Sequence, residues 1–203
     1  MSAAGLTIEL HDVAKKFGAT TIFKEINALF TQGNRYAIVG ANGSGKSTLI
    51  KIIAGYMSPD RGTISYQLVN PVPPEEVSQL VAISAPYVEL PEELTVEELV
   101  HFHAKLKGLS IAGNDLIQEL QIARTKEIRH CSSGMKQRLK LALALYSKAT
   151  ILLLDEPTAN FDDVWKHWYH NELKQQSGKL IVIASNEPAE YEGASQVIQL
   201  GLI

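Results

Sequence analysis

The sequence has a single cysteine, Cys131, among its 203 residues. An intrachain disulfide and a cysteine-built zinc site are therefore both excluded. Basic excess is missing as well. Lys and Arg number 19 against 22 Asp and Glu, a net charge of −3, which removes the bulk-charge route to nucleic acid. The apolar runs that read as strands, Ile151 to Leu154 and Leu180 to Ala184, fall far short of the roughly 18 residues needed to cross a membrane. The opening MSAAGLTIELHD has neither the cationic region nor the apolar stretch of a signal peptide, so a cytoplasmic protein is expected. No internal repeat, low-complexity tract or linker is visible.

What is present is ordinary globular composition, 45% hydrophobic and 20% charged, which excludes intrinsic disorder and fibrous classes. The length predicts one domain, spanning 1–203, with a core that needs no covalent staples. Two extended segments open the chain, Leu6 to His11 and Thr20 to Phe30, with a turn expected at Lys15-Lys16-Phe17-Gly18. Arg35 to Val39 reads as a buried strand feeding a glycine-rich turn and a helix from Lys46 to Ala54. Short strands follow at Thr63 to Tyr66 and Val81 to Ser84. Helical spacing then appears at Leu94 to Leu106, Asp115 to Ile122 and Met135 to Tyr146. From Ile151 onward strands and helices alternate: Ile151 to Leu154, a helix from Asp163 to Gln176, Leu180 to Ala184, a short helix near Pro188, and Gln196 to Leu200. Continuous apolar strands alternating with helices predict an α/β fold with a mostly parallel sheet covered on both faces. The stretch 86–147 reads as a helical insertion between two halves of that core.

Gly40-Ala41-Asn42-Gly43-Ser44-Gly45-Lys46-Ser47 fits G-x-x-x-x-G-K-[ST], with Thr48 next. Glycines let the backbone curl its N–H groups around a phosphate while the following helix aims its N-terminus at the same anion. Lys46 reaches β- and γ-phosphates in such a loop, and the Ser47 hydroxyl is a Mg²⁺ ligand. A chance match in a chain of this length has a probability of about 1%, and this one lies between strand and helix as the mechanism requires. Asp155 ends the aliphatic strand Ile151 to Leu154, at the edge where α/β sheets bind ligands. A carboxylate there holds Mg²⁺, and Glu156 beside it is placed to orient or deprotonate an attacking water.

These residues resemble the nucleotide-binding subunit of ATP-binding-cassette (ABC) transporters, from about Leu6 to the C-terminus. GANGSGKSTLIKIIAG looks like that family's Walker A region, and LLLLDEPTANFD like its Walker B strand, catalytic glutamate and D-loop, with Asp162 as the D-loop aspartate. Cys131-Ser132-Ser133-Gly134-Met135-Lys136-Gln137-Arg138 occupies the signature position, in a form familiar from export-type cassettes. The resemblance implies that Ser132 and Gly134 contact the ATP held by a second cassette subunit, so that a head-to-tail dimer, with identical or different subunits, sandwiches two ATPs. It also implies Mg²⁺ as cofactor, a separate transmembrane permease as partner, attachment through it to the inner face of the membrane, and no nucleic acid. Phe17 in KKFG matches the aromatic that stacks on adenine, although a phenylalanine before glycine is also common in cores.

Three departures qualify the match. Cys131, Ser133 and Met135 stand where Leu, Gly and Gln are usual. No glutamine occurs between Gln79 and Gln118, so the Q-loop position reads Ala85-Pro86-Tyr87. The switch histidine is replaced by Asn186, a neutral donor, and no histidine follows His170. Losing one well-placed transition-state donor costs about 10²–10³ in rate, so slow hydrolysis is expected, with Glu156, Lys46 and Asn186 as the catalytic groups. The alternative is a weakened cassette that binds ATP and dimerises as a regulatory or paired subunit. A small-molecule kinase is disfavoured, because it needs a basic lid and the five arginines do not cluster. The motifs fill the chain, which suggests a minimal cassette without a further domain. Trp165, His167, Trp168, Tyr169 and His170 form an aromatic cluster best read as helix packing. Cys131, beside a helix start, is a weak candidate for a lowered thiol pKa.

Overall fold

The computed structural model describes residues 5–201. Residues 1–4 of the opening segment and residues 202 and 203 lie outside the described residues. The chain folds into two sheets with helices between and around them. The first is antiparallel, with strand order β2-β1-β4: β1 is Thr7–Phe17, β2 Thr20–Thr31 and β4 Arg61–Gln67. The second has order β5-β6-β7-β3-β8, and every neighbouring pair in it is parallel. Its strands are β3 Arg35–Val39, β5 Val81–Ser84, β6 Ile151–Asp155, β7 Leu180–Ala184 and β8 Gln196–Gln199. The expected α/β architecture with an antiparallel N-terminal segment is therefore present.

Alternation along the central strands explains why they read as unbroken apolar runs. Ile151, Leu153, Leu180 and Val182 face a core shared with helix α1 (Lys46–Ile53) and the antiparallel sheet. Leu152, Leu154, Ile181 and Ile183 face the opposite layer, where Leu141, Leu145, Tyr169 and Leu173 cover them. A strand buried on both faces has no polar side, so its period of two disappears from the sequence.

Between β5 and β6 lie α3 (Val96–Lys107), α4 (Gly113–Leu120), a 3₁₀ turn at Ile128–His130 and α5 (Ser133–Tyr146). Helix α5 has two apolar faces. Leu139, Ala142 and Leu143 pack with Leu99, Leu116 and Leu120 of the insertion, whereas Leu141, Ala144 and Leu145 pack on the sheet. That double face fastens the inserted helices to the core. Glu98, in the acidic run before α3, closes a capping box with Thr95, so part of that run serves the helix start.

Two details correct the sequence reading. The first turn is not at Lys15–Gly18. Lys15, Lys16 and Phe17 remain in β1 and pair with Phe23, Thr21 and Thr20, and the chain reverses at Gly18 and Ala19, with Gly18 at φ 58°. Solvated charges on an antiparallel strand imitate a turn, because the backbone pairing leaves no mark on side-chain polarity. A helix absent from the sequence reading, α2 (Pro74–Leu80), begins with proline in its first turn, where no N–H bond is lost.

The antiparallel sheet also sets the loop before α1. Gly45 has φ 98°, and a β-carbon there would lie 2.4 Å from Ile22 Cγ2 and 2.9 Å from Phe23 Cδ1 on β2. Both the backbone conformation and the close approach demand glycine. Gly45→Ala is expected to destabilise the chain by about 1–3 kcal/mol, seen as a Tm lower by roughly 5 °C in thermal denaturation.

Candidate functional site

The carboxyl ends of β3 and β6 open toward the N-terminus of α1, and the motif residues meet there. The loop from Gly40 to Gly45 leaves β3, and Gly40, Gly43 and Gly45 all have positive φ. At Gly40 a β-carbon would lie 2.5 Å from the Leu200 carbonyl and 2.6 Å from Ser44 Oγ. The first turn of α1, with Lys46, Ser47 and Thr48, has no side-chain cap and no acidic residue. Among the six described α-helices only α1 and α5 lack an acid in the first turn. Their positive ends are left uncompensated by carboxylates, as an anion site requires. Ser44 is buried with its hydroxyl unpaired, and Asn42 is exposed at the loop crest.

Lys46 is buried and lies across the loop. Its Nζ donates to the Gly40 carbonyl at 2.8 Å and stands 3.8 Å from Glu156 Oε1. The Asn186 amide completes its surroundings. One amide atom of Asn186 faces Nζ at 3.2 Å and the other faces the Gly40 carbonyl at 2.5 Å. An ammonium only donates and a carbonyl only accepts, so the oxygen of Asn186 faces Lys46 and its nitrogen faces Gly40. The Asn42 amide lies 3.1 Å from the same amide of Asn186. The structure thus brings Asn42, Lys46, Glu156 and Asn186 together.

Asp155 is fully buried, and neither of its oxygens has a hydrogen-bond partner. Burial raises its carboxyl pKa, opposed by the nearby Ser47 hydroxyl and the charges of Lys46 and Lys51. An orphaned, anionic oxygen pair beside a hydroxyl fits a hard divalent cation. No cluster of three or more His, Cys, Asp or Glu capable of caging a metal occurs among the described residues. Such a cation would therefore need further oxygens from its ligand, as Mg²⁺ usually takes from phosphates.

Glu156 follows at φ 47°, in the left-handed region, with its N–H bonded to the Ala184 carbonyl at 2.9 Å. Burial raises its pKa, and the charge of Glu190 adds to the rise. Glu190 escaped the sequence reading. It is buried in the 3₁₀ turn Pro188–Tyr191, where its Oε1 accepts from the Thr158 N–H at 2.8 Å and from the Thr158 hydroxyl. Gln137 of α5 donates to the Pro157 carbonyl at 3.1 Å. The turn after Glu156 is therefore held from two sides. No local motif announces Glu190, since its partner lies 32 residues away.

The other candidates lie apart from this cluster. Ser132 is the N-cap of α5 and accepts from the Met135 N–H at 3.3 Å, leaving its own O–H free to donate, with Gly134 exposed nearby in open space. Asp162 caps α6 (Asp163–Lys174) by accepting from the Trp165 N–H at 3.0 Å. No hydrogen bond joins Ser132, Gly134 or Asp162 to residues 40–48 among the described residues. Phe17 is 50% exposed at the end of β1, which removes the core alternative for it. Cys131 is buried, and burial raises its thiol pKa, contrary to a reactive thiol. The aromatic cluster packs α6: Tyr169 donates to the Glu190 carbonyl at 2.7 Å, Trp168 Nε1 to Glu119 at 2.6 Å, and Arg138 lies over the Trp165 ring.

The state of Asp155 makes a stability prediction. Folding raises its pKa, so the ionised form, dominant above the ordinary aspartate range, opposes folding, and that opposition disappears in acid. Asp155→Asn should therefore raise the Tm of the ligand-free chain by about 2–4 °C at neutral pH. The difference should vanish in acid; calorimetry at the two pH values checks it.

The family model "ABC transporter" matches residues 23–159. Among curated proteins, the Nod factor export ATP-binding protein I of Bradyrhizobium diazoefficiens is 30% identical over 95% of this chain and 66% of its own length. The ABC transporter ATP-binding protein YtrB of Bacillus subtilis is 28% identical over 79% of this chain and 56% of its own. The chain thus spans less than two thirds of the length of these relatives. A putative ABC transporter ATP-binding protein from Pyrococcus furiosus superimposes with a TM-score of 0.79 at 26% identity, covering 96% of this chain and 97% of its own. A dimeric bacterial ABC cassette, 22% identical, shares the fold with a TM-score of 0.79 over 96% of this chain and 94% of its own. With more than half its length matched by the family model and a fold shared along nearly all of it, the chain belongs to the ABC transporter family.

Proposed function

We propose that this chain, as a single cassette domain, binds ATP with Mg²⁺ and hydrolyses it to drive a membrane transporter. The observation that carries this is Asp155: a fully buried carboxylate with both oxygens unpaired, facing an uncapped helix and a phosphate loop. Backbone N–H groups of Gly43 to Thr48 bind the phosphates, and Lys46 moves from Gly40 to their oxygens. Ser47 and Asp155 would hold Mg²⁺, which neutralises phosphate charge when bound. Phe17 stacks on the adenine. Glu156 orients the attacking water and accepts its proton, helped by burial that makes its carboxylate more basic. Asn186 donates its amide N–H to the terminal phosphate but adds no positive charge.

Ser132 and Gly134, at the uncompensated end of α5, together with Asp162, serve the nucleotide of a second cassette. ATP then closes a dimer, and product release reopens it, the differential affinity for the two states supplying the work. Among the described residues no helix is long and apolar enough to cross a membrane. A separate permease is proposed as the partner that places the chain at the inner membrane face, a reading supported by the transporter ATP-binding proteins it resembles. A cassette that binds and dimerises with little turnover is the second reading, favoured by Asn186 and by the absent glutamine at Ala85-Pro86-Tyr87.

Steady-state ATPase measurement separates the two readings. Wild type should turn over slowly and Glu156→Gln should lower the rate by at least about 100-fold; equal, negligible rates in both would favour the second reading. Asn186→His should raise turnover by about 10- to 100-fold, with ATP affinity nearly unchanged.

A further inference from the structure

The position left without a glutamine is not empty. Ala85-Pro86-Tyr87 leaves the end of β5, and Ser84, the last residue of that strand, pairs in register with Leu154, immediately before Asp155. The loop therefore starts level with the buried carboxylate. Two residues at this point keep polar atoms sealed from solvent without a partner: the Tyr87 hydroxyl and both oxygens of Asp155. Each such atom costs about 1–3 kcal/mol, and a native fold tolerates a group of them where a ligand completes the set.

Tyr87 is also held firmly. Lys51, on the helix that starts at the phosphate loop, places its Nζ 4.0 Å from the centre of the Tyr87 ring. Lys140 of α5 donates to the Ala85 carbonyl at 3.1 Å, and the Val88 N–H closes the turn onto the same carbonyl at 3.1 Å. The phenol is close enough to Asp155 for that charge, after burial, to raise its pKa. A phenol is in any case protonated at neutral pH and has one O–H to donate.

We propose that Tyr87 is a positioning residue for the nucleotide-bound cation, donating its phenolic hydroxyl to a terminal phosphate oxygen, or to a water shared by that phosphate and the cation, beside Asp155 and Ser47. The proposal rests on the ATP-binding reading and deepens it. A phenol differs from an amide in consequence. It donates one hydrogen bond and offers only a weak neutral oxygen to a metal, so it senses the water or phosphate around the cation. Its effect should appear only when cation and terminal phosphate are both present.

The test is equilibrium nucleotide binding to the full chain, by calorimetry, with ATP and ADP, each with and without Mg²⁺. Tyr87→Phe keeps the ring and its Lys51 contact while removing the hydroxyl. It should weaken Mg²⁺-ATP binding by about tenfold and leave ADP and Mg²⁺-free ATP binding within about twofold. Its ligand-free Tm should be equal or higher, since an unpaired buried hydroxyl is removed. Tyr87→Gln should recover most of the Mg²⁺-ATP affinity. Unchanged Mg²⁺-ATP binding by Tyr87→Phe, an equal loss for every nucleotide, or a lowered ligand-free Tm would each overturn the assignment. Failure of the wild type to bind ATP at all would overturn the functional reading, and this one with it. Normal wild-type binding with an unaffected phenylalanine variant would overturn only the role of Tyr87.

Discussion

Asp155 is a carboxylate at the end of a strand buried on both faces, with no hydrogen bond to either oxygen and the uncapped end of α1 opposite. Much of the architecture serves to hold that unfavourable arrangement. Parallel neighbours β5 and β7 fix the strand, their aliphatic side chains filling both layers. The antiparallel sheet presses Ile22 and Phe23 against Gly45 and so sets the direction of α1. Desolvated charge of this kind costs folding free energy, and sites that bind charged ligands commonly retain such a cost.

Lys46 illustrates the complementary half. Its ammonium is occupied by the Gly40 carbonyl, the Asn186 amide oxygen and, at longer range, Glu156. The positive charge therefore stays inside the site and is satisfied by groups that a phosphate can displace. Asn186 joins the loop after β3 to the end of β7 through the same contacts. The neutral residue at the switch position thus has a structural role at the ligand-free site, as well as its proposed chemical one.

Helix α5 connects this centre to the inserted helices. Its two apolar faces bind it to sheet and insertion together, and its polar residues reach the turns on either side of Asp155. Gln137 meets the Pro157 carbonyl and Lys140 the Ala85 carbonyl, so both loops flanking the carboxylate hang from one helix. Ser132 at the start of that helix has no hydrogen bond to residues 40–48 among the described residues. A displacement of α5 would therefore be felt at Glu156, at Tyr87 and at Ser132, the residue proposed to meet a second cassette. This is the mechanical link that the proposed ATP-driven closure would use.

The sequence by itself determined the glycine-rich loop between strand and helix, the carboxylate pair after an aliphatic strand, and the bounds of β5 and β7. Those features depend on neighbours along the chain: glycine's permitted dihedrals, a helix beginning after a strand, and the length of an apolar run. It misplaced the first turn, because Lys15 and Lys16 are polar whether they sit in a turn or in a solvated strand. It also passed over α2 and Glu190, and it read Ala85-Pro86-Tyr87 only as a position without a glutamine. Only the tertiary structure decided which groups face one another: Glu190 with Thr158, Asn186 with Gly40 and Lys46, Lys51 with Tyr87. Desolvation decided the rest, since Asp155 and the Tyr87 hydroxyl differ from surface groups only in the layers packed over them, and burial by distant segments leaves no local mark in a sequence.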